Sequence, residues 1–381
     1  MANTITNVVP QLLAMGLKAL RENAILPRLA NTDYGTLAQQ RGNVINIPIP
    51  SAITARAVTP GVTQATNQDF SPTTVAVTLD RWMEATFQLS DNDMVSVMEG
   101  TMPMQASEAI KALGNDMDVY ILSKHVRAFN VTGTAGTTPL SATLTDARSA
   151  RVLLNKTLAP TSPRYGVLDP DAEGNFLGIP NVIQSEMAGD SKAIVEGQIS
   201  RKIGIDWFMD QNLTANTYTP GTAWITGWTF DGSNAAGVST AAVVFTNSGT
   251  VKIGDIFSLT ASGLGYVITA NTTAVTSTTM NISFYPPLRT AVATASALVI
   301  GAAATAYVPN LVFHRDAFAF ASRPLADIRG LGNVIETQVD PVTGIALRLE
   351  VSRQYRQTTF SYDVLYGCNV PRPEFIAKIK G

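Results

Sequence analysis

The sequence predicts an α+β protein with an all-β domain inserted into it. Three observations carry that reading. Helical patterns precede antiparallel strand patterns along the chain, an order typical of α+β rather than alternating architecture. Residues 75–89 alternate apolar and polar side chains with period two, as a half-buried strand does. Residues 212–310 hold only Asp231, Lys252, Asp255 and Arg289, although the chain has 27 basic and 29 acidic side chains.

Leu12, Leu13, Leu17 and Leu20 recur at helical spacing, and Pro27 is expected to stop that helix. Ile45, Ile47 and Ile49 follow as a strand. Pro48 and Pro50 cannot donate ladder hydrogen bonds, so it is expected at an edge. Val75, Val77, Leu79, Met83, Ala85, Phe87 and Leu89 form one face of a run about 15 residues long, against ~5–6 in a typical strand. Arg81 interrupts the apolar side, and the strand is expected to bend or change partners there. The two runs suggest a long hairpin with a loose tip from Ser51 to Pro72, an arm that suits a subunit reaching across a neighbour.

Ser90 is placed as the cap of a short turn ending at Gly100. Thr101 caps a longer helix with Pro103 in its first turn and an apolar stripe of Ile110, Leu113, Met117, Tyr120, Ile121 and Ala128. A third helix is expected over Asp146–Leu158, capped by Thr145 and closed by Pro160, with Ala147, Ala150, Leu153, Leu154 and Leu158 inward. In the charge-poor segment, Ala242–Phe245, Ile256–Leu259 and Tyr266–Thr269 are short β-branched runs punctuated by Gly and Asn, the pattern of a small sandwich or barrel. Near the C-terminus Ile335, Thr337 and Val339 lead through Asp340-Pro341-Val342-Thr343-Gly344 into Ile345, Leu347, Leu349 and Val351. That is two strands joined by a type I turn with a glycine bulge, and Phe360–Tyr366 is a third strand.

The 381 residues fit two or three domains. A net charge of −2 gives no strong attraction to polyanions. Hydrophobic residues are 45% and charged residues 15%, below the usual ~25%, which excludes a disordered chain and suggests surface covered by sister subunits. The single cysteine, Cys368, excludes an intramolecular disulfide framework and reads as a small buried thiol. The first basic residue is Lys18, so no secretory signal is expected. The uncharged stretch after Arg289 is rich in Ala, Ser and Thr and reads as buried strands rather than a membrane span.

No catalytic constellation emerges. His125 reads as a solvated or interface histidine on the long helix. His314-Arg315-Asp316 lacks the Asn that a kinase loop needs, Ala321 standing in its place. Asp169-Pro170-Asp171-Ala172-Glu173-Gly174 begins like a calcium loop, but its twelfth position is Pro180, so a solvated turn is expected. Gly330-Leu331-Gly332 begins a dinucleotide fingerprint that Ile335 breaks. Asp91/Asp93 and Asp116/Asp118 are spaced two apart, and on a helix such carboxylates do not face each other. A non-enzyme without cofactor or metal is therefore expected.

Several motifs, in order, then become recognisable. They are Gly197-x-Ile199-x-Arg201-x-x-Gly204-Ile205-Asp206, Val251–Phe257, Ile282–Leu288 with Ser283 and Pro286, Val339–Ile345, and Asp363-Val364-Leu365-Tyr366-Gly367 followed by Pro373-Glu374. The chain resembles the major capsid (coat) proteins of tailed bacteriophages, in the short-tailed branch with an inserted β-barrel domain. The resemblance implies a Hong-Kong-97-type phage capsid fold. Residues 1–40 would be an N-terminal arm, 41–90 an extended loop, 91–159 a peripheral domain with its spine helix, and 160–211 with 311–367 an axial domain. Residues 212–310 would be the inserted domain and 368–381 a strand returning to the peripheral domain.

It further implies self-assembly into an icosahedral shell of hexamers and pentamers in the virion, formed in the host bacterial cytoplasm. Partners would be a scaffolding protein, a portal and double-stranded DNA held by weak non-specific contact, with no membrane. Within the arm and the loop, the expected assembly contacts are Leu12, Leu17, Arg21, Arg56, Arg81, Trp82 and Glu84. Two other readings stay open from the residues alone. One is a Thr/Gly-rich oligomeric surface or tail-fibre-like binding protein; the other is a hydrolase with an appended β-domain.

Overall fold

The computed structural model describes residues 13–14, 16–18, 20, 24–33, 43–50, 53, 55, 57, 72–92, 101–141, 143–184, 192–199, 201–222, 228–245, 248–259, 265–275, 278–300, 305–326 and 333–381. Most of the loop tip, the turn leading to Gly100 and the Gly330-Leu331-Gly332 stretch lie outside the described residues. The chain forms two compact units, the first from Met1–Glu22, Asn31–Leu113 and Phe318–Pro371, the second from Asn23–Ala30, Gly114–Ala317 and Arg372–Gly381.

The first unit is built on an antiparallel sheet ordered Ala319–Arg323, Gln357–Asn369, Ala346–Gln354, Val334–Val339. The 15-residue alternation divides into two strands at Leu79-Asp80. Thr73–Thr78 pairs with Val44–Ile49, while Arg81–Ser90 pairs with Gln357–Tyr366 along the free side of that strand. Ile45, Ile47, Val77 and Leu79 bury against Ala319, Ala321 and Leu365, so the base of the hairpin is core rather than arm. Approach is closest at Gly367, where an added Cβ would stand 2.1 Å from the Thr78 carbonyl oxygen. On the other face of the sheet, Gly16 sits against Ile110 of the helix Thr101–Ser123 and against Leu347 and Tyr362.

The turn between Val334–Val339 and Ala346–Gln354 is closed from within. Asp340 is buried and accepts from the Thr343 amide at 3.2 Å and its hydroxyl at 2.6 Å. Gly344 has φ +70° and donates to the Asp340 carbonyl at 2.9 Å. A left-handed residue at that point requires little or no side chain, which is the physical content of the Val339–Ile345 motif.

In the second unit a mixed five-stranded sheet runs Asn130–Gly133, Ile376–Lys380, Pro309–His314, Arg164–Leu168, Asp206–Met209. Pro309–His314 pairs with Arg164–Leu168, whereas Ala319–Arg323 and Gln357–Asn369 belong to the sheet that holds Arg81–Ser90. The helix Thr145–Lys156 buries Ala147, Ala150 and Leu154 over this sheet. Leu158 does not join them. The helix ends at Lys156, Leu158 takes φ +58°, and its side chain is 88% exposed. Thr145 is the first helical residue rather than the cap. Asp169 is likewise buried at the start of the helix Pro170–Leu177, not in a solvated turn. In the Gly197–Asp206 motif, Lys202 and Ile205 exchange backbone hydrogen bonds around Ile203 and Gly204, both at positive φ, a two-residue hairpin.

The charge-poor segment forms only strands and turns among its described residues from 228 to 300. Six strands order as Leu298–Ile300, Ile256–Leu259, Gly265–Ile268, Thr279–Tyr285, Thr240–Val244, Thr229–Phe230. Its core lies within the segment itself, with Trp228 against Phe245 at 4.2 Å between ring centroids and Phe257, Tyr266 and Phe284 packed in a cluster.

Pro27 lies in the first turn of a separate helix, Leu26–Leu29, after a break at Ala24 and Ile25, so it begins a helix rather than ending one. Asp118 holds that start by accepting from the Ile25 and Leu26 amides at 3.1 and 3.0 Å. Burial, and then the nearby Asp210, push the Asp118 carboxyl up from 3.8 to about 8. An acid raised on folding stabilises fully below its unfolded value, and that contribution is lost as pH rises through the folded one. Stability should therefore fall between pH 4 and pH 8. Asp118→Asn should raise the melting temperature at pH 8 by roughly 2–6 °C, about 1–2 kcal/mol, and much less at pH 5. Scanning calorimetry at the two pH values checks this, and an equal shift at both would overturn it.

Candidate assembly surface

Arg81, Trp82 and Glu84 begin the edge strand Arg81–Ser90 and are all exposed. Leu17 is buried within its own chain, and Leu12, Arg21 and Arg56 lie outside the described residues. Trp82 is 63% exposed, unusual for so large an apolar side chain, and exposed Trp and Arg are the common anchors of protein interfaces. Its ring is nevertheless fixed, because Nε1 donates to Asp363 Oδ2 at 3.1 Å.

Register explains the arrangement. Trp82 pairs with Leu365, Glu84 with Asp363, and Asp363 in turn with Arg348. Directly paired residues share a sheet face, so Glu84 and Asp363 present like charges side by side, which is unfavourable alone. Arg348 compensates with a two-pronged grip on Asp363, Nε to Oδ1 at 2.9 Å and Nη2 to Oδ2, and Nη1 reaches the Ala326 carbonyl at 3.0 Å. Both partners are nearly buried. The Asp363–Arg348 pair was missed by sequence reasoning, since opposite charges 15 residues apart signal contact only once the hairpin register is known.

At the far end of the same sheet, Tyr355 and Arg356 close the hairpin between Ala346–Gln354 and Gln357–Asn369. Tyr355 is 82% exposed, Arg356 holds φ +54°, and its guanidinium lies 5.1 Å from the Tyr355 ring. A left-handed arginine at a tip is strained backbone. The signal that could have found it is the pair of residues separating two strand-like runs.

Two other residues considered for chemistry, Cys368 and His125, are both buried. Cys368 is buried opposite Phe320. His125 is buried, not solvated, and desolvation holds it well below its ordinary range. Among the described residues no group of three His, Cys, Asp or Glu side chains comes together to hold a metal ion, and no helix is long and apolar enough to cross a membrane.

No family model matches this chain, and no curated protein matches it in sequence. Solved structures do match in fold. A chain of Mycobacterium phage Che8 is 16% identical with a TM-score of 0.52, covering 93% of this chain and 90% of that one. The capsid of cyanophage P-SCSP1u gives 14% identity and a TM-score of 0.51 over 94% and 88%. The capsid of a native GTA particle gives 9% and 0.50 over 94% and 90%. Over more than nine-tenths of its length, this chain has the α+β fold of the Hong-Kong-97-type phage capsid.

Proposed function

We propose that this chain is the major capsid protein of a tailed phage, of the short-tailed branch with an inserted β-domain. In this reading it self-assembles through hexamers and pentamers into the icosahedral shell around double-stranded DNA. The observation that carries the reading is the likeness to a cyanophage capsid across 94% of the chain. The role is structural and non-catalytic. Assembly takes place in the bacterial cytoplasm on a scaffolding protein and around a portal. The near-neutral net charge of −2 favours only weak, salt-sensitive contact with the packaged DNA.

In this reading the exposed, oriented Trp82 is a contact between subunits. Electron microscopy of the purified protein, alone and with a scaffolding protein, tests the function: closed shells support it, and rods or small discrete oligomers refute it. Trp82→Ala should leave the subunit folded and raise the concentration needed for shell formation at least tenfold, the effect of losing an interface anchor worth ~2 kcal/mol. Unchanged assembly would remove Trp82 from the interface.

A further inference from the structure

Besides the hydrogen bond from Tyr285 to Glu374 at 3.2 Å and the packing of Tyr285 and Arg289 on Phe129, the inserted strands meet the rest of the second unit at the neck where the chain crosses. The chain enters at Tyr218 and leaves at Tyr307, and these two residues exchange backbone hydrogen bonds of 2.9 and 3.0 Å. Beneath them lies Lys378, in the strand Ile376–Lys380. It is fully buried, and its Nζ has no hydrogen-bond partner among the described residues. That Nζ stands 5.6 Å from the ring centroids of both Tyr218 and Tyr307.

The remaining titratable groups complete the neck. The His125 ring meets Tyr218 edge-on at 5.7 Å, and its Nδ1 is also unpartnered. Lys380 Nζ lies 5.1 Å from the Tyr307 ring. On the inserted side, Asp255 is buried and accepts from the Tyr218 hydroxyl at 2.9 Å, the Lys252 amide at 2.7 Å and the Gly221 amide at 3.2 Å. Lys252 Nζ points away, to the Thr219 carbonyl at 3.2 Å. Three basic side chains thus share the neck with one carboxylate that is already committed to three donors.

We infer that this neck is an acid-sensitive latch: neutral Lys378 seals Tyr218 and Tyr307 together, and proton uptake by Lys378 loosens the inserted strands from the five-stranded sheet. A buried amine without a partner favours its neutral form, because the charged form loses hydration and gains only the ring faces. Burial, and then Lys380, bring Lys378 down to about 7, with Asp255 opposing. An opened neck returns it to the ordinary lysine range near ~10.4, so opening takes up a proton between those limits. The closed neck therefore loses ground as pH falls from 10 to 7, and the loss levels off below 7. His125, buried neutral, acts in the same direction below its ordinary range.

Amide hydrogen exchange in the unassembled full chain, read at Tyr218, Gly221 and Tyr307 and corrected for intrinsic rate, tests this. Opening at those amides should rise roughly fifty- to hundredfold from pH 9 to pH 6. In Lys378→Met the same amides should be better protected at pH 7 and show no such dependence. Flat protection in the wild type, or an unchanged slope in Lys378→Met, would overturn the inference. Should Lys378→Met fail to fold, the NMR titration of the Lys378 side chain in the wild type decides: a midpoint near neutrality supports the latch, and an ordinary lysine midpoint refutes it.

Discussion

Asp363→Ala is expected to cost the folded chain about 3–5 kcal/mol, the penalty for leaving a buried charge without its partner. Arg348 is 12% exposed and gives two of its donors to Asp363. Removing the carboxylate takes away the charge that balances this guanidinium, which keeps its bond to the Ala326 carbonyl, and also frees the Trp82 ring. Asp363→Asn keeps an acceptor for Trp82 and should cost less, about 1–3 kcal/mol, by losing the charge-assisted part of the pair. Urea denaturation of the three proteins reads the order directly. A loss below about 1 kcal/mol for Asp363→Ala would mean that Arg348 finds water instead.

Gly367→Ala should be nearly as severe for a different reason. The added methyl would meet the Thr78 carbonyl oxygen at 2.1 Å, its carbon at 2.8 Å and the Leu79 Cα at 3.0 Å, all of them backbone. No rotamer change relieves such a clash, so either the hairpin base lifts or the sheet shifts, costing about 3 kcal/mol. Exchange of the Thr73–Thr78 amides should accelerate selectively. Gly174→Ala is the control: it lies in the helix Pro170–Leu177 with nothing within 4 Å of its Cβ, and should be neutral or stabilising by up to ~1 kcal/mol. Equal effects from the two substitutions would refute the steric argument.

Periodicity made the strand at 75–89 and the stripe Ile110 to Ile121 legible, because one buried face writes itself into the sequence. It said nothing of partners. The same alternation spans two strands that pair with opposite ends of the chain, and only the polar Arg81 marked the change. Leu158 misled because an apolar residue in helical phase was counted after the helix had ended. The surface around Trp82 was half legible: exposed Arg81, Trp82 and Glu84 stood out in the loop, while Asp363 and Arg348 depend on register. Lys378 left no trace, since one lysine in Ile376–Lys380 reads as a solvated edge, and its burial comes from tyrosines more than 70 residues away.

The adjacency of Tyr218 and Tyr307 also bears on how such a chain can be edited. As an antiparallel pair they place their Cα atoms about 4.5–5.5 Å apart, so whatever lies between them is a cartridge with touching ends. A two-residue turn could replace the whole segment, and a foreign domain with neighbouring termini could occupy the socket, without altering the register of Pro309–His314 against its neighbours. Recombination at this point would exchange the cartridge while Pro309–His314 keeps Ile376–Lys380 and Arg164–Leu168 as its strand neighbours.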